Sequence, residues 1–411
     1  MIKIKKIKLE ESVPVFDITV NNTHNFFAND TLVHNCAEIE LPTSNERTAV
    51  CCLSSLNIET YDEWKDTTLV QDLIEMLDNV LDYFIENTPD EISKARYSAM
   101  RERALGLGVM GFHYFLQKNM VPFESQEARK LNKEVFNFIH NEAIIATKRL
   151  GIEKGECPDF ITDLTFTLYD ETKMTVKSSD LVTIVNRDKL SSSLQTVRAF
   201  EVVPGDSICQ FGGKVQSIEI IEGKHPNTGW RNSQLEAIAP TANSGILCGT
   251  SPSIEPNNSN AYIHQTRAGS WPVKNRYLEK LLDLKNLNTD EIWKEIINSG
   301  GSIQHMDDIF SVEEKNIFKT ANELNQMWVV RHAADRRPFI TQGQSVNMFF
   351  PAKCKRNYFS MVHYMAWKLG LKSLYYTRTV ASNRAENVAA KVERVALVDA
   401  EEDTGCKACE G

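Results

Sequence analysis

The chain has 411 residues, a formal net charge of -9 at pH 7, and 42% hydrophobic against 25% charged residues. That length carries two or three domains with sizeable cores, and the balance is that of an ordinary globular chain. Mild acidity argues against a broad nucleic-acid surface, and without an apolar run of about 18 residues no membrane span is expected.

The start, MIKIKKIKLEES, is basic but lacks the apolar region of a secretion signal, so a cytoplasmic protein is expected. Residues 1–35 hold short β-type runs such as VPVFDITV, with turn signals at NNTHN and AND. Residues 36–60 read as loop, with Pro42, Thr43 and Ser44 ahead of CCLSSLNI. Leu73, Leu77, Val80, Leu81 and Phe84 then repeat at helical spacing, and so do Leu131, Val135, Phe138, Ile139 and Ile145. Between them RALGLGVMGFHYF is an apolar segment spaced by glycines. Residues 161–226 alternate at period two and predict a β-rich insert. Helical patterning returns near Tyr277, at 313–334 and at 356–369, with Gly370 suited to a left-handed helix end and SLYYTRT following as a strand. The acidic tail DAEEDTGCKACEG has few apolar residues, which predicts a mobile end.

The nine cysteines are Cys36, Cys51, Cys52, Cys157, Cys209, Cys248, Cys354, Cys406 and Cys409. An odd number in a long chain without a secretion signal does not form a disulfide framework. Only Cys406 and Cys409 show C-x-x-C spacing, with no second pair, so no metal site is predicted.

His34, Asn35 and Cys36 stand in a row. An asparagine amide can attack its own backbone carbonyl and cleave the following peptide bond. A neighbouring histidine can protonate the leaving amine, and a thiol on the next residue can hold an acyl group. A turn capped by His and Asn is the plainer reading of the tripeptide alone. The longer run VFDITVNNTHNFFANDTLVHNC resembles the C-terminal motif of an intein, in particular the short piece of a split intein, since it begins near Met1. The resemblance implies splicing roles for Asp17, His24, His34 and Asn35, with Cys36 as the first residue of the spliced product. It also implies an N-terminal partner polypeptide that completes a shared β fold and delivers an upstream enzyme half.

Beyond the junction, CAEIELP places Glu38 two residues after Cys36, so in an extended segment the thiol and the carboxylate point the same way. Redox or radical chemistry beside a carboxylate base is one reading; small buried cysteines are the other. Likewise PTANSG suits either an anion or a helix N-cap, and adjacent tyrosines in a strand are commonly core.

These stretches, with RALGLGVMGF, RNSQLEAIAPTANSG, GTSPSIEP, ADRRPFITQGQSVNMFF and LKSLYYTRT in that order, resemble the large subunit of class I ribonucleotide reductase over most of 36–160 and 227–380. The resemblance implies an α/β fold: the C-terminal part of an α/β barrel of about ten strands, preceded by the all-β intein fragment and interrupted by the insert. It divides the chain into 1–35, 36–160, 161–226, 227–389 and a redox tail at 390–411. It implies that Cys36 is the thiyl-radical residue, Glu38 the base for the 3′-hydroxyl, and Cys51 one of the two reducing thiols, with adjacent Cys52 the weaker match. Pro240, Thr241, Ala242, Asn243, Ser244 and Gly245 would bind the substrate diphosphate. Tyr375 and Tyr376 would relay the radical, and Cys406 and Cys409 would re-reduce the site. No cofactor would be bound directly: the radical would come from a metal-containing small subunit, and thioredoxin or glutaredoxin would be the reductant. The second reducing thiol, an active-site asparagine and the allosteric nucleotide sites would lie mainly upstream of Cys36.

Overall fold

The computed structural model describes residues 25–28, 31–34, 37–161, 163–171, 173–185, 194–202, 206–208, 213–220, 229–266, 269–351 and 353–379. The chain divides into two compact units, 1–36 and 37–411. In the first, β1 (Asn25–Ala28) pairs antiparallel with β2 (Thr31–His34), and Asn25 stands opposite His34.

The second unit is built on parallel staves. β3 (Cys52–Asn57) is followed by α1 (Tyr61–Trp64), α2 (Leu69–Asn87) and α3 (Ser93–Glu102) before β4 (Leu105–Met110) returns parallel to it. Parallel pairing demands such a crossover. Leu77 and Leu81 of α2 are buried as their spacing predicts, whereas Val80 is 45% exposed.

All of β4 is buried, and its glycines let neighbours close in. A Cβ on Gly108 would stand 2.7 Å from the carbonyl oxygen of Ala237. On that side Leu105 N–H donates to Gln234 O at 3.0 Å, and Leu107 N–H to Leu235 O at 2.8 Å. The segment around Ile238 then pairs in parallel with Gln344. α4 (Phe112–Lys118) and α5 (Gln126–Lys154) follow β4, and α5 packs along α2.

Residues 163–220 form a six-stranded sheet with its own core, which includes Phe166, Ile184 and Ile208. Its strands are β5 (Asp163–Leu168), β6 (Lys173–Lys177), β7 (Leu181–Val185), β8 (Leu194–Arg198), β9 (Ser207–Ile208) and β10 (Gly213–Ile220), in the order β6-β5-β10-β9-β7-β8.

After it come α6 (Ala242–Cys248), the hairpin β11 (Ala261–Thr266) and β12 (Gly269–Lys274), then α7 (Arg276–Leu284) and α8 (Asp290–Asn298). The stretch 313–334, read as one helical run, is two helices, α9 (Val312–Ile317) and α10 (Gln326–Arg336). Asn325 caps α10 by accepting the Met327 N–H at 3.0 Å, and within the turn between the helices Glu323 accepts the Thr320 N–H at 2.7 Å. β13 (Met348–Phe350), α11 (Arg356–Lys368) and β14 (Thr377–Thr379) complete the series, with β13 and β14 parallel. Gly370 has φ +76°, the expected left-handed end of α11. Among the described residues no helix is long and apolar enough to cross a membrane.

Candidate active site

The segment 341–348 is polar in sequence, TQGQSVNM, yet it is buried between staves. Gln342 is 1% exposed, and Ser345 and Asn347 are equally hidden. Parallel staves covered on both faces usually read as apolar runs. Polar side chains in this position must therefore find partners, and each partner here is a candidate site residue.

Glu38 is buried, and its carboxylate accepts a hydrogen bond from the Ser345 hydroxyl. Burial raises its pKa above the ordinary carboxylate value, and the Ser345 bond partly opposes this. The backbone beside it is pinned as well. Gly343 N–H donates to Glu38 O at 2.8 Å, and Ser373 Oγ donates to Ala37 O at 2.8 Å. A Cβ on Gly343 would lie 2.6 Å from Ala37 O and 2.8 Å from Glu40 Oε1, so only glycine admits the finger this close. Lys372 reaches Glu40 Oε2 at 2.9 Å and the carbonyl of Gln342 at 2.6 Å.

Cys51 lies across from this finger. Gln342 donates to its sulfur at 3.2 Å and to Leu105 O at 2.8 Å, while Gln342 Oε1 accepts the Glu40 N–H at 3.1 Å. Burial pushes the Cys51 thiol up to about 12; the Gln342 bond pulls against this, and the charges of Cys52 and Glu38 add to it. Cys52 is raised by burial too, but the charge that acts on it is Arg103, on the helix side. The geometry thus brings Cys51, rather than Cys52, to Gln342 and Glu38.

The tyrosines hang on the same segment. Tyr375 N–H donates to Val346 O at 2.9 Å, and Met348 N–H donates to Tyr376 O at 2.9 Å. The ring centroids are 4.0 Å apart at 43°. The sequence predicts SLYYTRT as a strand. Regular strand is confined to Thr377–Thr379, because Tyr376 gives its N–H to the Asn347 side chain at 3.1 Å instead of to a backbone carbonyl.

Pro240 to Gly245 runs from the Ile238 stave into α6. Thr241 does not cap α6 with its side chain. Its hydroxyl accepts the Ser253 N–H at 2.7 Å, which closes the Thr241–Ser253 loop on itself. Gly245 is buried, and Asn243 and Ser244 are exposed at the first turn. The N-cap alternative for this motif is thus not how Thr241 is used.

Asp17, His24, Asn35, Cys36, Cys406 and Cys409 lie outside the described residues; His34 is the last residue of β2. Among the described residues no cluster of three His, Cys, Asp or Glu side chains could hold a metal ion. Gln342, Gly343, Ser345, Asn347 and Lys372 were not singled out from sequence. The signal available was the polar run among apolar neighbours.

Residues 4–377 match the family described as ribonucleotide reductase, barrel domain. The bounds of that match take in residues 4–35 and the β-rich insert. The chain is 39% identical over 386 residues to the ribonucleoside-diphosphate reductase large subunit of Invertebrate iridescent virus 6, covering 92% of this chain and 33% of the relative. It is 33% identical to that of Invertebrate iridescent virus 3, over 92% of this chain and 50% of the relative. The structure is similar to the Actinobacillus ureae class Id ribonucleotide reductase alpha subunit, with a TM-score of 0.63 and 32% identity over 85% of this chain and 53% of that one. The chain therefore spans about half or less of these relatives.

Proposed function

The chain belongs to the ribonucleotide reductase barrel-domain family, and on that premise we propose that it supplies the C-terminal catalytic part of a ribonucleoside-diphosphate reductase large subunit. The observation that carries this reading is the single amide of Gln342, which joins the Glu38 finger to the Cys51 thiol. A base and a hydrogen donor are then held toward one small space, as reduction of a ribose 2′-hydroxyl requires.

In this scheme the Cys36 sulfur takes the 3′ hydrogen of a ribonucleoside diphosphate, and Glu38 accepts the 3′-hydroxyl proton. A carboxylate whose pKa is raised by burial is a stronger base than one in water. Cys51 is kept as the neutral thiol at neutral pH, the form that can give up hydrogen as the 2′ oxygen leaves as water. The oxidised thiol pair is then reset by Cys406 and Cys409, which thioredoxin or glutaredoxin would recharge by thiol–disulfide exchange. The Pro240–Gly245 turn would bind the diphosphate, with Asn243 and Ser244 open to it. Tyr375 and Tyr376 would pass the radical from a metal-containing small subunit to Cys36. The enzyme would work in the cytoplasm.

The leader reading rests on the motif residues Asp17, His24, His34 and Asn35 alone. We take residues 1–35 to be a split-intein fragment that joins Cys36 to an upstream reductase half carried by a partner polypeptide. Cys36 would then be acyl acceptor first and radical residue afterwards. A second reading keeps the two halves unspliced and assembled without a covalent link.

Mixing the chain with an upstream half bearing the matching intein piece separates the two. Intact-mass measurement is expected to show loss of residues 1–35 and gain of the upstream half, together with reductase activity. Activity without a mass change supports the unspliced assembly. Activity in a Cys36→Ala variant overturns the radical assignment.

A further inference from the structure

Glu255 is one of several buried carboxylates that the scheme above leaves unused. Glu255, in the turn that follows the Thr241–Ser253 loop, is 9% exposed and accepts a hydrogen bond from Asn347 Nδ2 at 2.6 Å. Oδ1 of the same amide accepts the N–H of Tyr376 at 3.1 Å. Asn347 is itself buried and so is its bond to Glu255, whereas the Tyr376 end of this chain is partly open. On the other side, the guanidinium carbon of Arg378 stands 5.6 Å from the centroid of the Tyr376 ring, and its charge acts on Glu255. One carboxylate thus reaches Tyr376 by two routes, a hydrogen-bonded backbone and a cation beside the ring.

We propose that Glu255 is a positioning residue for the Tyr375–Tyr376 pair, fixing the backbone of Tyr376 through Asn347 and steering Arg378 against its ring. This rests on the relay reading of the tyrosines and extends it to a residue that touches neither the substrate nor the reacting sulfur.

The amide of Asn347 can point only one way while Glu255 is ionised. A carboxylate accepts and cannot donate, so the NH2 group faces Glu255 and the oxygen is left for Tyr376. A protonated Glu255 can donate to Asn347 Oδ1 and compete with the Tyr376 N–H. Burial brings this carboxyl up to about 7, against the Asn347 bond and the Arg378 charge, so both forms are accessible near neutrality. Arg378 is the charged group that acts on it among the described residues; Asn347 carries no charge.

The test reads the Tyr376 amide directly. The full chain labelled with 15N-tyrosine has eleven tyrosine amides, and that of Tyr376 is identified by its loss in Tyr376→Phe. It is expected to shift with a midpoint near neutral pH in the parent and to stay fixed in Glu255→Gln. Asn347→Ala is expected to move it and to uncouple it from pH. A Tyr376 amide that ignores pH in the parent, or follows it equally in Glu255→Gln, overturns the proposal. Should Glu255→Gln melt below the measuring temperature, Asn347→Ala carries the same comparison.

In the reconstituted reductase, Glu255→Gln is expected to lower kcat by about tenfold with KM for the diphosphate unchanged. Parental kcat in Glu255→Gln beside an inactive Tyr376→Phe overturns the inference and leaves the relay standing. An active Tyr376→Phe overturns the relay reading, and the amide titration then decides the positioning role alone.

Discussion

The Gln342 amide donates to the sulfur of Cys51 at 3.2 Å, although 291 positions separate the two residues in sequence. The same group holds Leu105 O at 2.8 Å and the Glu40 N–H at 3.1 Å. The Glu38 finger, the Cys51 thiol and the β4 stave meet at one side chain. A change there removes contacts to all three at once.

Gln342→Leu keeps the volume and removes the amide. Leu105 O and the Glu40 N–H lose their partner, and each orphaned group costs about 1–3 kcal/mol. The variant is expected to unfold about 2 kcal/mol or more below the parent in urea. Cys51 loses the bond that holds its pKa down, so its alkylation by iodoacetamide at mildly alkaline pH should slow, read by peptide mass. Unchanged stability and unchanged alkylation would show that the amide does not bridge the two.

Gly343→Ala tests the finger itself. The added methyl meets Ala37 O at 2.6 Å, Glu40 Oε1 at 2.8 Å and Glu38 O at 3.1 Å. Two of these are backbone atoms that cannot swing aside, so Glu38 must shift. A displacement of about 1 Å can cost about a hundredfold in rate. The expected result is a kcat about a hundredfold lower with an unaltered circular-dichroism spectrum; parental kcat would mean that the Glu38 position is not critical.

Much of the frame is written in local pattern. Leu77 and Leu81 announce α2, the alternation after Leu164 announces the insert, and Gly370 marks the end of α11. Glu38 and Cys51 are nameable because CAEIELP and AVCCLSSLNI resemble the reductase family; spacing alone leaves buried small cysteines as an equal reading. Gln342, Asn347 and Glu255 are not nameable, because their roles arise from stave adjacency between segments far apart in the chain. The helix break before Asn325 is hidden for a related reason: Asn325 caps α10 and Glu323 ties the turn before it, and such residues are ordinary polar ones until their backbone partner is known.

Two buried histidines add to the acid sensitivity of the fold. Burial lowers both His113 and His332 to about 3 from an ordinary 6.5. His113 Nδ1 accepts the Asn257 N–H at 2.8 Å, and His332 Nε2 faces Phe123 O at 2.9 Å. In the unfolded chain both take up a proton near pH 6.5, whereas the folded chain resists until about pH 3. Their contribution is therefore complete above about pH 6.5 and is lost as pH falls toward 3, at about 1.4 kcal/mol per pH unit for each. His113→Gln, which can accept the same N–H, is expected to shallow the fall of Tm between pH 6.5 and 4.5. An identical slope in parent and variant would remove His113 from the acid transition.

The β-rich insert joins the barrel unit at a narrow neck. Cys157 N–H donates to Trp230 O at 2.8 Å, and Gly229 N–H donates to Glu156 Oε2 at 2.8 Å. Gly151 makes room for this return, since a Cβ there would meet the Gly229 carbonyl. The chain thus leaves and re-enters through residues bonded to each other. The insert packs on its own core of Phe166, Ile184 and Ile208, and at the neck Glu156 also accepts from the Ser178 hydroxyl. Replacing 162–226 by two glycines shortens the connection, which lowers rather than raises its closure entropy. Glu156 loses its bond to Ser178, worth about 1 kcal/mol. The expected change in Tm is therefore small, about 1–2 °C, with unfolding still cooperative in calorimetry. A loss of cooperativity would show that the insert supports the staves and is more than a module carried at their edge.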